Sequence, residues 1–466
     1  MSTRALSRPS LRIAVSLAAA AALSGCATLG RWFRPRREVR PDVIGVVLPL
    51  SGKYEPIGRA LLDGIELGTK DSKVKLAVRD SEGEPEPALR AFEDLAQNEK
   101  VIAVLGGVTS GEAAALGRRA DELGVTLLTF SKQEDITSSG STTFRHMATL
   151  AAQAKAMARF ATCELGLTSF AVLGPDDASA HLLAETFSAA VRGEGARIEP
   201  PIVYPPGQTN FTKEARKLSG RDGLEQRPEL IARRKEILRE ERDPYRQRKA
   251  LEKARASLAP SVGFQALFLP DSWKAVSLVA PAFAVEDVVT NACDVEDMRR
   301  IRATTGRRAL PSITLLGWGG WQSPEGPEGK PELWARGGKY MHCAYYVDGF
   351  FAGSSRPATR RFAQAYRAAH GGRAPNFLNA YAYDSAQMFR RVVEQGAPTD
   401  SDRFKDLLAD LPVHDGATGP TVFDSDRDAR TPLFFLQITP EGIREVPMRA
   451  GCARPAASAA GEPTAP

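Results

Sequence analysis

From Asp42 onward, apolar runs of strand length alternate with segments of helical period. Val43 to Leu48 is an apolar run ending at Pro49-Leu50-Ser51-Gly52, which predicts a fully buried strand feeding a loop. Ile57, Leu61, Leu62, Ile65 and Leu67 then recur near helical spacing. Val74 to Val78 reads as a strand stopped by Arg79-Asp80-Ser81. Pro85 to Gln97 predicts a helix, with Pro87 near its first turn, where a missing N–H costs little. Val101 to Leu105 predicts a strand ended by Gly106-Gly107, Ser110 a cap on a helix to Leu123, and Val125 to Leu128 the next strand. Alternating β and α with short connections calls for a parallel sheet covered by helices on both faces. Right-handed crossovers make that sheet doubly wound.

The alternation resumes after Thr149. Helices are expected over Leu150–Leu165, Ser179–Arg192 and Trp273–Phe283. Strands are expected at Phe170–Leu173, Ile198–Tyr204, Ala266–Leu269, Ile313–Leu316 and Tyr340–Tyr346. Phe362–His370, Tyr381–Val393 and Phe404–Leu411 add three helices, and Thr421–Phe423 with Leu433–Ile438 predict a closing hairpin. The expected fold class is α/β, two doubly wound parallel-sheet lobes joined by a hinge. The expected boundaries are 42–148 for the first part of lobe one, 149–346 for lobe two, 347–418 for the return to lobe one and 419–449 for the hairpin closing lobe two.

One segment, 212–260, breaks the rhythm with little strand propensity and a dense charge run. Lys213 to Arg255 holds fifteen Lys and Arg against nine Asp and Glu, an excess equal to the net charge of +6 of the whole chain. Ile231, Ile237, Leu238, Leu251 and Leu258 form a thin apolar stripe, so two short helices broken near Asp243-Pro244 are expected as an insertion in lobe two. Such a charge run serves either as a solvated excursion or as a docking surface for an acidic partner or anionic cell-wall polymer.

The ends carry an address rather than a fold. Arg4, Arg8 and Arg12 precede an apolar run from Ile13 to Leu23, closed by Ser24-Gly25-Cys26. That run is too short to span a bilayer, which takes ~20 residues. Residues 1–26 therefore read as a signal peptide, and Leu23-Ser24-Gly25-Cys26 resembles the lipobox of bacterial lipoproteins, implying a lipid anchor on Cys26. Ala27 rather than Asp follows, which by the same resemblance favours an outer membrane in a Gram-negative cell. Residues 27–41 form a basic tether in which Arg31, Arg34, Arg36, Arg37 and Arg40 either meet anionic headgroups or keep the tether extended. The tail, 450–466, has little to bury and is expected to be disordered. Cys163, Cys293, Cys343 and Cys452 allow up to two disulfides, with three connectivities open.

Val43 to Gly52 with Ile57-Gly58 and Gly64 to Leu67 resembles the opening of type 1 periplasmic binding proteins, in the leucine/isoleucine/valine-binding branch. Gly106 to Ser110, Phe144-Arg145 with Gln153-Ala154, Tyr204 to Gly207 with Thr209 and Phe211, and Ala380 to Ser385 follow that family's order. Phe268 to Trp273 and Val347 to Phe351 also resemble the lipoprotein branch described as penicillin-binding-protein activators, although that branch's helical-repeat domain has no counterpart before Val43. The resemblance implies a ligand between the lobes, at the carboxyl ends of strands near a topological switch point. Candidate ligand residues are Ser51, Tyr54, Thr109, Ser110, Ser131, Lys132, Asp271, Trp318 and Trp321. Ser131-Lys132 stands where the family has a small residue and Thr, and Gly317 to Gly320 displaces its acidic residue. A branched-chain amino acid is thus a poor match. Lys132 can receive an anion and Trp318 and Trp321 can wall an apolar ligand; equally, all three can line the inter-lobe seam.

No paired histidines stand at zinc-hydrolase spacing, and Gly107 to Gly111 misses the nucleophile-elbow pattern. No phosphate loop or dinucleotide fingerprint is present, so no enzyme, cofactor, metal or nucleic-acid function is expected. Two function classes remain: a solute-binding lipoprotein serving an ABC-type importer or a sensor, and an envelope lipoprotein that acts on a penicillin-binding protein with a degenerate ligand site.

Overall fold

A computed structural model of the chain describes residues 37–305, 310–326, 330–449 and 451–452. The signal peptide, the lipidation position Cys26, tether residues 27–36 and all of the tail except Gly451 and Cys452 lie outside the described residues. Lobe one is built on five parallel strands: β1 (Arg40–Leu48), β2 (Lys75–Asp80), β3 (Val101–Gly106), β4 (Thr126–Thr129) and β5 (Thr143–Arg145), in the order β2-β1-β3-β4-β5. Side chains of β1 alternate between two cores. Ile44, Val46 and Leu48 pack with Leu61, Ile65, Tyr381 and Phe389, while Val43 and Val47 pack with Phe92, Leu95 and Leu116. Burial on both faces is why the strand reads as a continuous apolar run. The helices Glu55–Thr69 and Phe377–Gly396 pack closely: a Cβ on Gly64 would lie 2.4 Å from the carbonyl oxygen of Asn379.

Lobe two holds β6 (Ser169–Pro175), β7 (Arg197–Ile198), β8 (Ile202–Tyr204), β9 (Ala266–Phe268), β10 (Thr314–Gly317) and β11 (Tyr345–Asp348), all parallel. A separate small antiparallel sheet joins β12 (His414–Gly416), β13 (Gly419–Phe423) and β14 (Ala429–Arg430). The strand β15 (Phe434–Thr439) then joins the lobe-two sheet antiparallel to β11, and β16 (Gly442–Glu445) closes it antiparallel to β15, giving β16-β15-β11-β10-β9-β6-β7 with β8 also on β6. The chain passes between lobes three times, at residues 146–149, at 349–356 and between β14 and β15.

Several elements differ from the sequence reading. Ile198–Tyr204 is two strands, because Pro200 and Pro201 have no N–H to donate to a ladder. Leu150–Leu165 is α-helical only to Arg159 and ends in a π-turn, Phe160–Glu164. Of Tyr340–Tyr346 only the end is strand, after a 3-10 turn at Gly338–Met341. Thr421–Phe423 and Leu433–Ile438 do not pair as a hairpin; β13 lies between β12 and β14, and β15 between β11 and β16. The helix Val295–Thr305 was not expected: five of its eleven residues are charged, and Val295, Met298 and Ile301 give it only a short apolar stripe.

Of the segment expected as an insertion, 212–260, the start is a helix, Thr212–Leu218, whose Ala215 and Leu218 enter the lobe-two core; the two expected helices follow, Pro228–Glu240 and Pro244–Ser257, each with proline in its first turn and the second capped by Asp243. They enclose their own small core of Leu230, Ile237 and Ala254. Two disulfides form, Cys163–Cys452 and Cys293–Cys343, both within lobe two. Among the described residues no helix is long and apolar enough to cross a membrane.

Candidate functional site

The lobe-one strands end in neighbouring loops. After β1, Ser51 precedes a 3-10 turn, Gly52–Tyr54, and the Leu50 amide donates to Asp80 Oδ1 at 2.8 Å. The Tyr54 ring lies against Gly83, whose positive φ of +80° and absent Cβ permit the approach. After β3, the Thr109 hydroxyl accepts from the Glu112 amide at 3.2 Å, and Glu112 Oε2 accepts from the Thr109 amide at 2.8 Å. This is a capping box, so Thr109 and not Ser110 is the cap, and its hydroxyl serves its own helix. Ser110 is exposed in the first helical turn, and the amides of Ser110 and Gly111 make no hydrogen bond among the described residues. Such amides at a helix N-terminus suit an anion. After β4, Ser131 is fully buried, its hydroxyl accepting from the Gln133 amide at 3.2 Å.

In lobe two, Asp271 Oδ2 accepts from the Tyr204 hydroxyl at 2.5 Å, and Trp318 Nε1 donates to the Asp271 carbonyl at 3.2 Å. Trp318 keeps a partly exposed edge. Trp321 does not: it is fully buried in the lobe-two core, donates to the Leu269 carbonyl at 3.2 Å, and packs under Gly317. Trp321 is therefore a core side chain and not a wall for a ligand.

Lys132 is the candidate that joins the lobes. Its ammonium stands 4.8 Å from the Phe377 ring centroid and 6.0 Å from that of Trp318. Lys132, Gln153, Gly319, Asp348, Phe377 and Tyr381 line a space of only about 10 Å³, room for one water and not for an amino acid. Burial lowers the pKa of the Lys132 ammonium, and the carboxylate of Asp348 works against that. Burial pushes Asp348 up to about 7, opposed by the Gly349 amide, which donates to its Oδ1 at 2.6 Å, and by Lys132. Asp348 Oδ2 and the Tyr381 hydroxyl are buried without a hydrogen-bond partner. Neither was singled out from the sequence as a site residue. The signal available was an acid closing the buried run Tyr345-Tyr346-Val347 directly before a glycine.

The crossings are pinned by further buried polar groups. Arg145 donates to Asp428 at 2.8 and 2.6 Å and to the carbonyl of Glu134 at 2.8 Å. Asp384 accepts from the Ala417 and Thr418 amides at 2.7 and 2.8 Å and from the Thr418 hydroxyl at 2.6 Å. His146, fully buried, shares a 2.8 Å hydrogen bond with the Ser385 hydroxyl, and burial pushes it down to about 4. Beside these crossings a groove of about 680 Å³ is lined by Arg145, Thr149, Lys155, Val422, Arg430 and Phe435, within the size range of small-molecule sites. No cluster of three or more His, Cys, Asp or Glu placed to hold a metal occurs among the described residues.

Two α/β lobes, three chain crossings and a seam at the carboxyl ends of the strands define a hinged, two-lobed binding protein. The chain belongs to the periplasmic binding protein family, whose model matches residues 43–221 and 323–442. Solved structures of type 1 periplasmic binding proteins share the fold. An ABC transporter substrate-binding protein from Sphaerobacter thermophilus is 18% identical with a TM-score of 0.62, covering 88% of this chain and 97% of its own. The branched-chain amino acid transporter substrate binding protein LivJ from Streptococcus pneumoniae, in complex with isoleucine, is 18% identical with a TM-score of 0.57, covering 88% and 99%. A solute binding protein from R. palustris, in complex with benzoate, is 15% identical with a TM-score of 0.56, covering 87% and 95%. No relative among curated proteins matches the chain.

Proposed function

We propose that this chain is an extracytoplasmic solute-binding lipoprotein, anchored through Cys26, that takes a small polar ligand between its lobes for ABC-type import or for sensing. The observation that carries the reading is the helix N-terminus after β3, where Ser110 is exposed and the amides of Ser110 and Gly111 are unengaged, beside the switch point of the lobe-one sheet. Isoleucine and benzoate, the ligands in two structural neighbours, both carry a carboxylate, to which such amides can donate. The ligand is accordingly amino-acid-like or another organic anion, and the filled seam lined by Lys132 and Asp348 must part for it to enter. Thermal unfolding of residues 27–466 against amino acids, aromatic acids, sugars and cell-wall fragments tests this. A ligand at a hundredfold excess over its Kd stabilises the protein by ~2.7 kcal/mol. No midpoint shift from any carboxylate would sink the solute-binding role. The anchor is tested separately: labelled palmitate enters the wild-type chain and not Cys26→Ser, and equal labelling removes it.

The filled seam favours a second reading, an envelope lipoprotein that acts on a penicillin-binding protein with a degenerate ligand site. In that case small molecules leave the midpoint unchanged while removal of the hairpin alone, residues 228–257, abolishes the activity of the chain. Full activity after that deletion, alongside a ligand-induced shift, decides for solute binding.

A further inference from the structure

The helix Pro228–Glu240 has two apolar edges. One carries Leu230 and Ile237 into the small core with Ala254. The other carries Ile231 and Leu238, 42% and 48% exposed and two helical turns apart on one face. Arg234 and Lys235 stand between them, and Arg242 follows. On the second helix Tyr245 is 55% exposed, and the Lys249 ammonium lies 4.8 Å from its ring centroid. Arg234, Lys235, Arg242, Arg248, Lys249 and Lys253 are all exposed and make no ion pair among the described residues. Arg233, Arg239 and Arg255, by contrast, are paired with Glu236, Glu240 and Glu225. The hairpin is fastened at its base, where Arg221 donates to the Leu258 carbonyl and the Ser261 amide to that of Ser219, both at 2.9 Å. It also lies within residues 222–322, between the two segments matched by the family model, so the shared binding fold does not account for it.

We propose that this hairpin seats lobe two on a bilayer bearing anionic phospholipid. Ile231, Leu238 and Tyr245 enter the boundary between headgroups and acyl chains, and the unpaired cations meet the phosphates. Exposed apolar side chains flanked by Lys and Arg on a helix surface fit an interfacial element. The unpaired cations complement an anionic surface, and the exposed Ile231, Leu238 and Tyr245 beside them suit one with an apolar interior. The inference is independent of what the cleft binds, and a chain held at Cys26 would meet such a surface continually.

The test is flotation of residues 27–466, which retain every described residue, with vesicles of phosphatidylglycerol and phosphatidylethanolamine or of phosphatidylcholine alone. Binding to the anionic vesicles should exceed binding to the neutral ones at least ~10-fold and fall steeply between ~0.1 M and ~1 M salt, as the Debye length shrinks from about 10 Å to about 3 Å. Reversing four exposed cations (Arg234→Glu, Lys235→Glu, Arg248→Glu, Lys249→Glu) should weaken it at least ~100-fold. Replacing the exposed apolar pair (Ile231→Ser, Leu238→Ser) should weaken what remains at high salt. Equal binding to both vesicle types, or none to either, overturns the proposal. So does retention on polyglutamate without vesicle binding, which assigns the hairpin to an acidic polymer. The basic tether, residues 27–41, is common to every variant, so the hairpin's share is the loss on substitution; should the fourfold reversal fail to fold, the double variant Lys235→Glu, Lys249→Glu decides, and undiminished binding overturns the proposal.

Discussion

Asp348→Asn should unmask two opposing titrations inside the hinge. Asp348 is buried at the end of β11 with its carboxyl pushed from 3.8 up to about 7. Above pH 3.8 the unfolded chain releases this proton, while the folded chain holds it until about pH 7. The stability Asp348 contributes is therefore complete below pH 3.8 and lost as pH rises to about 7, at about 1.36 kcal/mol per pH unit, or at most about 4 kcal/mol. His146 works the other way. Its pKa is pushed from 6.5 down to about 4, so its contribution is complete above pH 6.5 and lost as pH falls toward 4, at most about 3 kcal/mol. Between pH 4 and 6.5 the two slopes oppose each other and partly cancel in the wild type. With Asn at 348 only the His146 slope remains. The assay is urea unfolding of wild type and variant at about pH 4.5 and about pH 7.5, reading stability from the linear extrapolation. Any packing cost of the amide that does not depend on pH cancels in the comparison. The variant should gain about 3 kcal/mol relative to wild type between the two conditions. A difference that stays the same at both pH values refutes the reasoning and means that Asp348 is ionised throughout, paired with Lys132.

Three further outcomes follow from the packing and the cross-links. Replacing Cys293 and Cys343 by serine opens a loop with a sequence separation of 50 residues, and scanning calorimetry should show a loss of up to about 4 kcal/mol; peptide mapping without reductant should recover Cys163–Cys452 and Cys293–Cys343 as the linked pairs. Gly64→Val forces the helices Glu55–Thr69 and Phe377–Gly396 apart and should lower stability by about 1–3 kcal/mol in urea unfolding, whereas an unchanged midpoint would mean that they are not in close contact. Thr109→Ala removes the cap on Glu112 and should lower stability by about 1 kcal/mol, leaving the affinity for any ligand found in the thermal screen within a factor of a few, since that hydroxyl is turned to its own helix.

The lobes were legible because their strands are buried on both faces. In β1 the two sets Ile44, Val46, Leu48 and Val43, Val47 each have a core to enter, and a run that is apolar on both sides is hard to mistake. The insertion was legible through its charge run and the break at Asp243-Pro244, but its apolar stripe was misread in part: Ile237 is buried, Ile231 and Leu238 are exposed, and Leu230, one position from Ile231, takes the core place. The closing hairpin misled because two neighbouring apolar strands look like partners, whereas β15 finds β11 from an earlier part of the chain. Thr109 carried its answer in the Thr-x-x-Glu spacing to Glu112, a capping signature overlooked beside the family likeness. Which of Trp318 and Trp321 faces outward depends on how the turn after Gly317 tucks back, which no local pattern records. The seam was least legible. Lys132, Asp348 and Tyr381 come from three distant segments, and only the packing of the lobes brings them together.

The staple between Cys163 and Cys452 has a consequence for maturation. A chain delivered amino end first presents Cys163 long before Cys452, from which it is separated by 289 residues. During that interval Cys293 and Cys343 are nearer partners, and closing a shorter loop costs less entropy. Correct pairing therefore depends on Cys293 and Cys343, only 50 residues apart, finding each other first and withdrawing from competition. The second bond then becomes a checkpoint for completion: a chain cut short before its last turn keeps an orphan thiol on lobe two, open to mixed disulfides and to quality control.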